Sequence, residues 1–203
     1  MMDKTKVKEF WDKRARKYQS LPFESIVNLE EDPENLQLKI SLETEKVFNW
    51  LGNVEGLRVL DLGAGVGQWA FRLVEEGAKS VTAVEYSADL VEIGQREAKE
   101  RKISNVEFIV SPAEDFIASN YYDVIFISGL FVYMGDDQAD KLMNNISLAC
   151  HSGTTVLLRD GTAIEGRFEI NNRMSEHLQT EYSASYRTRQ EYFEIFERND
   201  FKL

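Results

Sequence analysis

Along the first quarter of the chain the apolar residues recur at helical spacing. In residues 5–18 the larger ones fall at Val7, Phe10, Trp11 and Tyr18, with Ala15 between and Lys and Arg opposite, which predicts an amphipathic helix. Asp32 followed by Pro33 makes an N-cap and first-turn pair, predicting a second helix with Leu36, Ile40, Val47 and Leu51 on one side and Gly52 as its stop. The period then changes. Short apolar runs at residues 58–62, 81–85, 106–110, 123–128 and 154–159 have the length and β-branched content of strands buried on both faces. Helical patterns lie between them. Residues 68–76 end at Gly77, Ser87 caps residues 88–101, and Asp136 or Asp137 caps a helix carrying Ala139, Leu142, Met143, Ile146 and Ala149. Strict alternation of strand and helix implies right-handed crossovers and a doubly wound, mostly parallel α/β sheet.

Beyond Asp160 the chain turns polar, until Thr188 and Glu191 form a capping box for a helix whose face is Tyr192, Ile195 and Phe196. Phe201, Lys202 and Leu203 read as the first residues of another strand. The chain stops there, which reads either as a truncation or as a domain lacking its C-terminal antiparallel hairpin. The whole, residues 1–203, is expected to be one domain, with a helical N-terminal cap over residues 1–52 and an α/β core over 53–203.

Composition narrows the partners. The 203 residues are 43% hydrophobic and 11% aromatic, enough for a real core. A formal net charge of −11 repels phosphate backbones and anionic lipid surfaces, so a nucleic-acid partner is disfavoured, and only residues 4–17 offer a short basic patch. With one cysteine, Cys150, no internal disulfide forms, and no Cys/His cluster has metal-ligand spacing. The opening residues MMDKTKVKEF lack a signal peptide's apolar run and no window approaches a membrane span, so a cytoplasmic location is expected.

The segment VLDLGAGVGQWA carries the chemistry. A strand ending at Leu62 runs into Gly63, Gly65 and Gly67 before a helix begins, and glycines at alternate positions let a ligand approach bare main chain. Asp61 sits at the strand's carboxyl end, where it can hold a cationic group. Glu85 closes the next strand, 20 residues after Gly65, where its two oxygens can accept from both hydroxyls of a ribose. Together they describe an adenosine pocket. Gly65, Gly67 and Ala70 also satisfy a dinucleotide pattern, which keeps an NAD(P)-dependent oxidoreductase as an alternative. That register would bury Asp61 and Gly63 within the strand, and no Tyr-x-x-x-Lys dyad is present.

On these residues the sequence resembles the class I S-adenosylmethionine-dependent methyltransferases, whose first motif is an acid, any residue, then Gly-x-Gly-x-Gly. The resemblance implies a Rossmann-like sheet of order 3, 2, 1, 4, 5, 7, 6 with the seventh strand antiparallel. It implies S-adenosylmethionine as cofactor, leaving as S-adenosylhomocysteine. Asp61, Gly63, Ala64, Gly65 and Gly67 would line its methionine end, and Glu85 with Tyr86 would take the ribose. Adenine would fall to Ala113 and Glu114 in SPAEDF, where Pro112 stands at a position the family often gives to an acid. Ser128 and Gly129, with Leu130, match the fourth motif beside the transferable methyl. The FWDKRARKY segment resembles the lid helix of small-molecule methyltransferases, with Tyr18 and Arg14 closing the site.

An activated methyl needs alignment and exclusion of water rather than a nucleophilic triad. A base, if the acceptor requires one, belongs at the carboxyl ends of the strands. Asp160 in LLRDG is the first candidate, followed by His177 and Tyr133, while Arg159 either pairs with an anionic acceptor or bridges to an acid. The expected activity is methyl transfer to a small-molecule or saccharide acceptor, the alternative being a noncatalytic cofactor-binding module.

Overall fold

The computed structural model describes residues 3–17, 20–28, 30, 32–175 and 180–202. Three N-terminal helices come first, α1 (Lys4–Arg16), α2 (Ser25–Asn28) and α3 (Pro33–Leu51). The Asp32 carboxylate accepts from the Glu34 and Asn35 amides, and Gly52, at φ 69°, ends α3, as the Asp-Pro and Gly signals predict. Asp3 caps α1 in the same manner. The basic face of α1 is not wholly solvated. Arg14 is buried and donates to the carbonyls of Ile26 (2.7 Å) and Ser25 (2.9 Å), stapling α1 to α2 rather than closing a site.

Five parallel strands follow, β1 (Arg58–Leu62), β2 (Ser80–Glu85), β3 (Val106–Val110), β4 (Tyr122–Ser128) and β5 (Cys150–Arg159), in the order 3-2-1-4-5. The connecting helices are α4 (Gln68–Glu75), α5 (Ala88–Glu100) and α6 (Asp136–Ser147). Side-chain alternation splits the core in two. Leu60, Leu62, Ile125 and Ile127 face α6, whereas Val59, Phe126 and Val81 meet Val47 of α3 and Leu73 of α4. Burial on both faces holds for β1 and most of β4, but β3 and β5 are edge strands and stay half-exposed along much of their length. The helix α6 is capped by Gly135, whose amide donates to Gln138, and not by Asp136 or Asp137; Asp136 is turned instead toward two arginines.

The polar stretch after Asp160 is structured. It folds as β6 (Thr162–Ala163), β7 (Phe168–Ser175) and β8 (Thr180–Thr188), a separate sheet of order β6-β8-β7 in which β7 and β8 are antiparallel. Thr188 and Glu191 then make the expected capping box on α7 (Arg189–Arg198), burying Tyr192, Ile195 and Phe196. Phe201 does not open a strand; its ring packs edge-on against Phe196 at 5.8 Å. Leu203 lies outside the described residues. Among those residues no helix is long and apolar enough to cross a membrane.

Candidate active site

A cavity of about 310 Å³ opens over the carboxyl ends of the strands, beneath α1 and α2. That volume is in the range of small-molecule sites. Its floor is the bend after β1. The amides of Gly63 and Ala64 both donate to the carbonyl of Val84, which folds the bend back onto β2. Gly65 has φ +57°, and a Cβ there would stand 2.7 Å from Val27 Cγ1, so the bare backbone is what lets α2 sit on the bend. Gly67 serves the fold instead. It is left-handed at φ +83°, starts α4, and a Cβ would collide with the Phe108 ring at 2.5 Å.

Glu85 points into this bend. One carboxylate oxygen accepts from the Gly65 amide at 2.9 Å, the other from the Ser87 amide at 2.8 Å. Burial pushes its carboxyl up from the ordinary value, against the pull of those amides. The Tyr86 amide also bonds this carboxylate. Asp61 lies below, 1% exposed, on the α4 side of the sheet and away from the cavity lining. Among the described residues its Oδ2 has no hydrogen-bond partner, and burial followed by the nearby Glu85 charge raises its carboxyl to about 7.

The adenine-side residues of the sequence reading, Ala113 and Glu114, also line the cavity. The Glu114 carboxylate is buried, ion-paired with Lys4 of α1, and accepts from Gln138 Nε2 at 3.0 Å. Tyr86 flanks Glu85, with the Lys8 ammonium 5.6 Å from its ring centroid. Ser87 donates its hydroxyl to Asp12 of α1. Thus α1 is tied down across the cavity by Lys4 at one point and Asp12 at another.

On the far side, Ser128 and Gly129 line the cavity at the end of β4. Arg159 bridges Ser128 Oγ (2.8 Å) and Glu43 of α3, so it is already paired with an acid. Asp160 follows it, accepting from the Val132 amide at 3.1 Å and the Gly161 amide at 2.9 Å; burial raises its carboxyl to about 6. Tyr133 reaches the cavity with its hydroxyl 3.2 Å from that of Tyr182, which lies 3.3 Å from that of Tyr186. Burial holds the Tyr133 and Tyr182 hydroxyls well above the ordinary phenol value, so both stay protonated. The Trp11 ring meets Tyr133 edge-on at 5.5 Å.

The structure therefore gathers Gly63, Ala64, Gly65, Glu85 and Tyr86 on one side of the cavity. Ala113, Glu114, Ser128, Gly129, Tyr133 and Asp160 complete the predicted set that it brings there. Asp61 and Gly67 are not in the lining, and Tyr18 and His177 lie outside the described residues. Lys4, Val27, Tyr182 and Tyr186 line the cavity without having been singled out from sequence. Tyr182, Ala184 and Tyr186 share one face of β8 by alternation, a signal hidden inside a stretch rich in polar residues.

The profile of the methyltransferase domain family matches residues 59–153. Phosphoethanolamine N-methyltransferase 1 of Triticum aestivum is 26% identical over 156 residues, covering 75% of this chain and 30% of that protein. Demethylmenaquinone methyltransferase of Lactococcus lactis is 35% identical over 66 residues, 32% of this chain and 26% of that protein. The chain therefore spans less than a third of the length of these curated relatives. Phosphoethanolamine N-methyltransferase 1 of Haemonchus contortus, solved with phosphoethanolamine and S-adenosylhomocysteine, superposes with a TM-score of 0.74. That superposition covers 94% of this chain and 39% of that one at 19% identity, a likeness of fold. Residues 59–153 are thus similar to the methyltransferase domain family, and the fold is similar to that of a solved methyltransferase with S-adenosylhomocysteine bound.

Proposed function

We propose that this chain binds S-adenosylmethionine over the bend between β1 and α4 and transfers its methyl group to a small polar acceptor held near Asp160. The Glu85 carboxylate carries this reading. It lines the cavity and is locked by the Gly65 and Ser87 amides at the end of β2, where a ribose lying over the bend would meet it. The residues present suit the cofactor in one further respect. Glu85 and Asp160 both line the cavity, and acids there favour a cationic ligand.

When bound, the cofactor supplies a methyl already activated by its sulfonium, so the chain's own task is placement. Glu85 orients the ribose, and the buried Glu114 with Gln138 offers polar contacts at the adenine side. Helix α1, with Trp11, Val7 and Lys8 in the lining, limits the access of water. Asp160 serves as base. With its carboxyl at about 6 it is mostly ionised at neutral pH, and it can take the proton an acceptor hydroxyl or ammonium gives up. The hydroxyls of Tyr133, Tyr182 and Tyr186 hold the acceptor's polar groups against that carboxylate.

Phosphoethanolamine, bound in the Haemonchus contortus structure, is the first acceptor to test, followed by small amines, quinols and saccharides. The experiment is a methyl-transfer screen with radiolabelled S-adenosylmethionine against that panel. Label appearing in one acceptor class, and disappearing in Asp160→Asn, supports the proposal. Cofactor binding without transfer to any of the panel would favour a binding module instead.

A further inference from the structure

The β8 side chain of Arg187 is fully buried, the bulkiest such side chain among the described residues. A guanidinium in that position is unfavourable unless its donors are taken and its charge is matched. Nη1 donates to the Phe131 carbonyl at 2.7 Å, and Nη2 donates to the Met134 carbonyl at 2.8 Å. Nε and Nη2 both reach Asp136 Oδ1, at 3.1 and 2.7 Å. All of these acceptors lie in residues 131–136, the segment that leads from β4 into α6. The same segment sends the Val132 amide to Asp160 Oδ2 and the Tyr133 side chain into the cavity.

Stability alone gives little reason for this arrangement. Asp136 is 45% exposed at its side chain and is already met by Arg167 at 2.9 and 3.1 Å, so its charge is matched at the surface without Arg187. Replacing a buried ion pair by an apolar residue of similar volume is commonly neutral or stabilising. What only a planar fork supplies here is simultaneous fixing of two carbonyls and a carboxylate in one turn.

We propose that Arg187 is a positioning residue for methyl transfer: it clamps residues 131–136 so that the Val132 amide stays on Asp160 and Tyr133 stays turned toward the acceptor. The proposal rests on the reading of Asp160 as the base. Asp160 is faced by the Val132 and Phe131 amides and by Tyr133 from this turn, by the Gly161 amide, by Arg187 from β8 and by Tyr192 from α7. The amides and the guanidinium all favour the ionised carboxylate, and burial opposes them. Releasing the clamp removes the cation and slackens the amides together, so the Asp160 carboxyl should titrate higher.

The test is the titration of Asp160 followed by ¹³C-carboxyl NMR in the wild type, Arg187→Met and Arg187→Lys, with S-adenosylhomocysteine affinity measured alongside. The expected result is an upward move of Asp160 by at least about one pH unit in Arg187→Met. A smaller move is expected in Arg187→Lys, which keeps the charge but not the fork, with cofactor-product affinity within about twofold of wild type in both. A folded Arg187→Met protein whose Asp160 titrates as in the wild type overturns the clamp. Should Arg187→Met fail to fold, Asp136→Asn takes its place, loosening the clamp from its half-exposed end; an unmoved Asp160 there overturns it equally. These outcomes are separate from the fate of the base itself. An Asp160→Asn protein with full transferase activity defeats the base assignment while leaving the titration result to stand or fall alone.

Discussion

Replacing Asp61 by Asn probes the electrostatic state of the bend directly. The carboxyl rises on folding from an ordinary 3.8 to about 7, because the side chain is 1% exposed and Glu85 adds a like charge. Its native form therefore holds a proton that the unfolded chain releases earlier. Between those two values the native state binds more protons than the unfolded state, so this group's contribution to stability falls as pH rises and is fully lost above the folded value. At 1.36 kcal/mol per pH unit the rise corresponds to about 4 kcal/mol as an upper bound. Asn keeps the shape and does not titrate. Whatever fixed cost its amide brings is the same at every pH and cancels when the comparison is made between pH values. Urea denaturation of both proteins from about pH 4 to about pH 8 should thus show the variant gaining on the wild type steadily, by roughly 2–4 kcal/mol across the range. A difference between the two that stays constant with pH, within about 1 kcal/mol, would refute the claim that a frustrated carboxylate sits beneath the bend.

Other substitutions test separate links. Gly65→Ala forces a side chain into φ +57° and against Val27, and should destabilise by about 1–2 kcal/mol while weakening S-adenosylhomocysteine binding; adding Val27→Ala should return part of the melting temperature. Asp160→Asn should lower methyl transfer by roughly 10²- to 10⁴-fold with cofactor affinity unchanged. The wild-type rate should climb as pH rises through about 6, where the base loses its proton. Thr188→Ala removes the cap of α7 and should cost about 1 kcal/mol in thermal or urea unfolding, with no change in cofactor affinity.

What was legible in the sequence was mostly local. The Asp32-Pro33 start and Gly52 stop of α3, the Ser87 cap of α5 and the Thr188 box of α7 each concern groups within a few residues of one another, and each stands as read. The spacing of Gly65 and Glu85 was legible too, because β1 and β2 are parallel neighbours whose carboxyl ends must coincide. The residues that escaped depend on distant partners. Lys4 meets Glu114 across 110 positions, and Arg187 meets the turn after β4 across more than 50. The β7–β8 hairpin was missed because its alternation is carried by Tyr and Ala among Ser, Glu and Arg rather than by aliphatic residues. Without that hairpin, Tyr182 and Tyr186 had no reason to be placed beside Tyr133. Asp136 had the residue type of a cap but is the first residue of α6, one past Gly135, and its carboxylate meets Arg167 and Arg187.

Calorimetric titration of S-adenosylmethionine and NAD into the wild type and Glu85→Ala puts the assigned ligand to trial. S-adenosylmethionine should bind the wild type and bind the variant about 10- to 150-fold more weakly, with NAD showing no heat in either. Equal affinity in both proteins, or NAD bound in preference, would contradict the account.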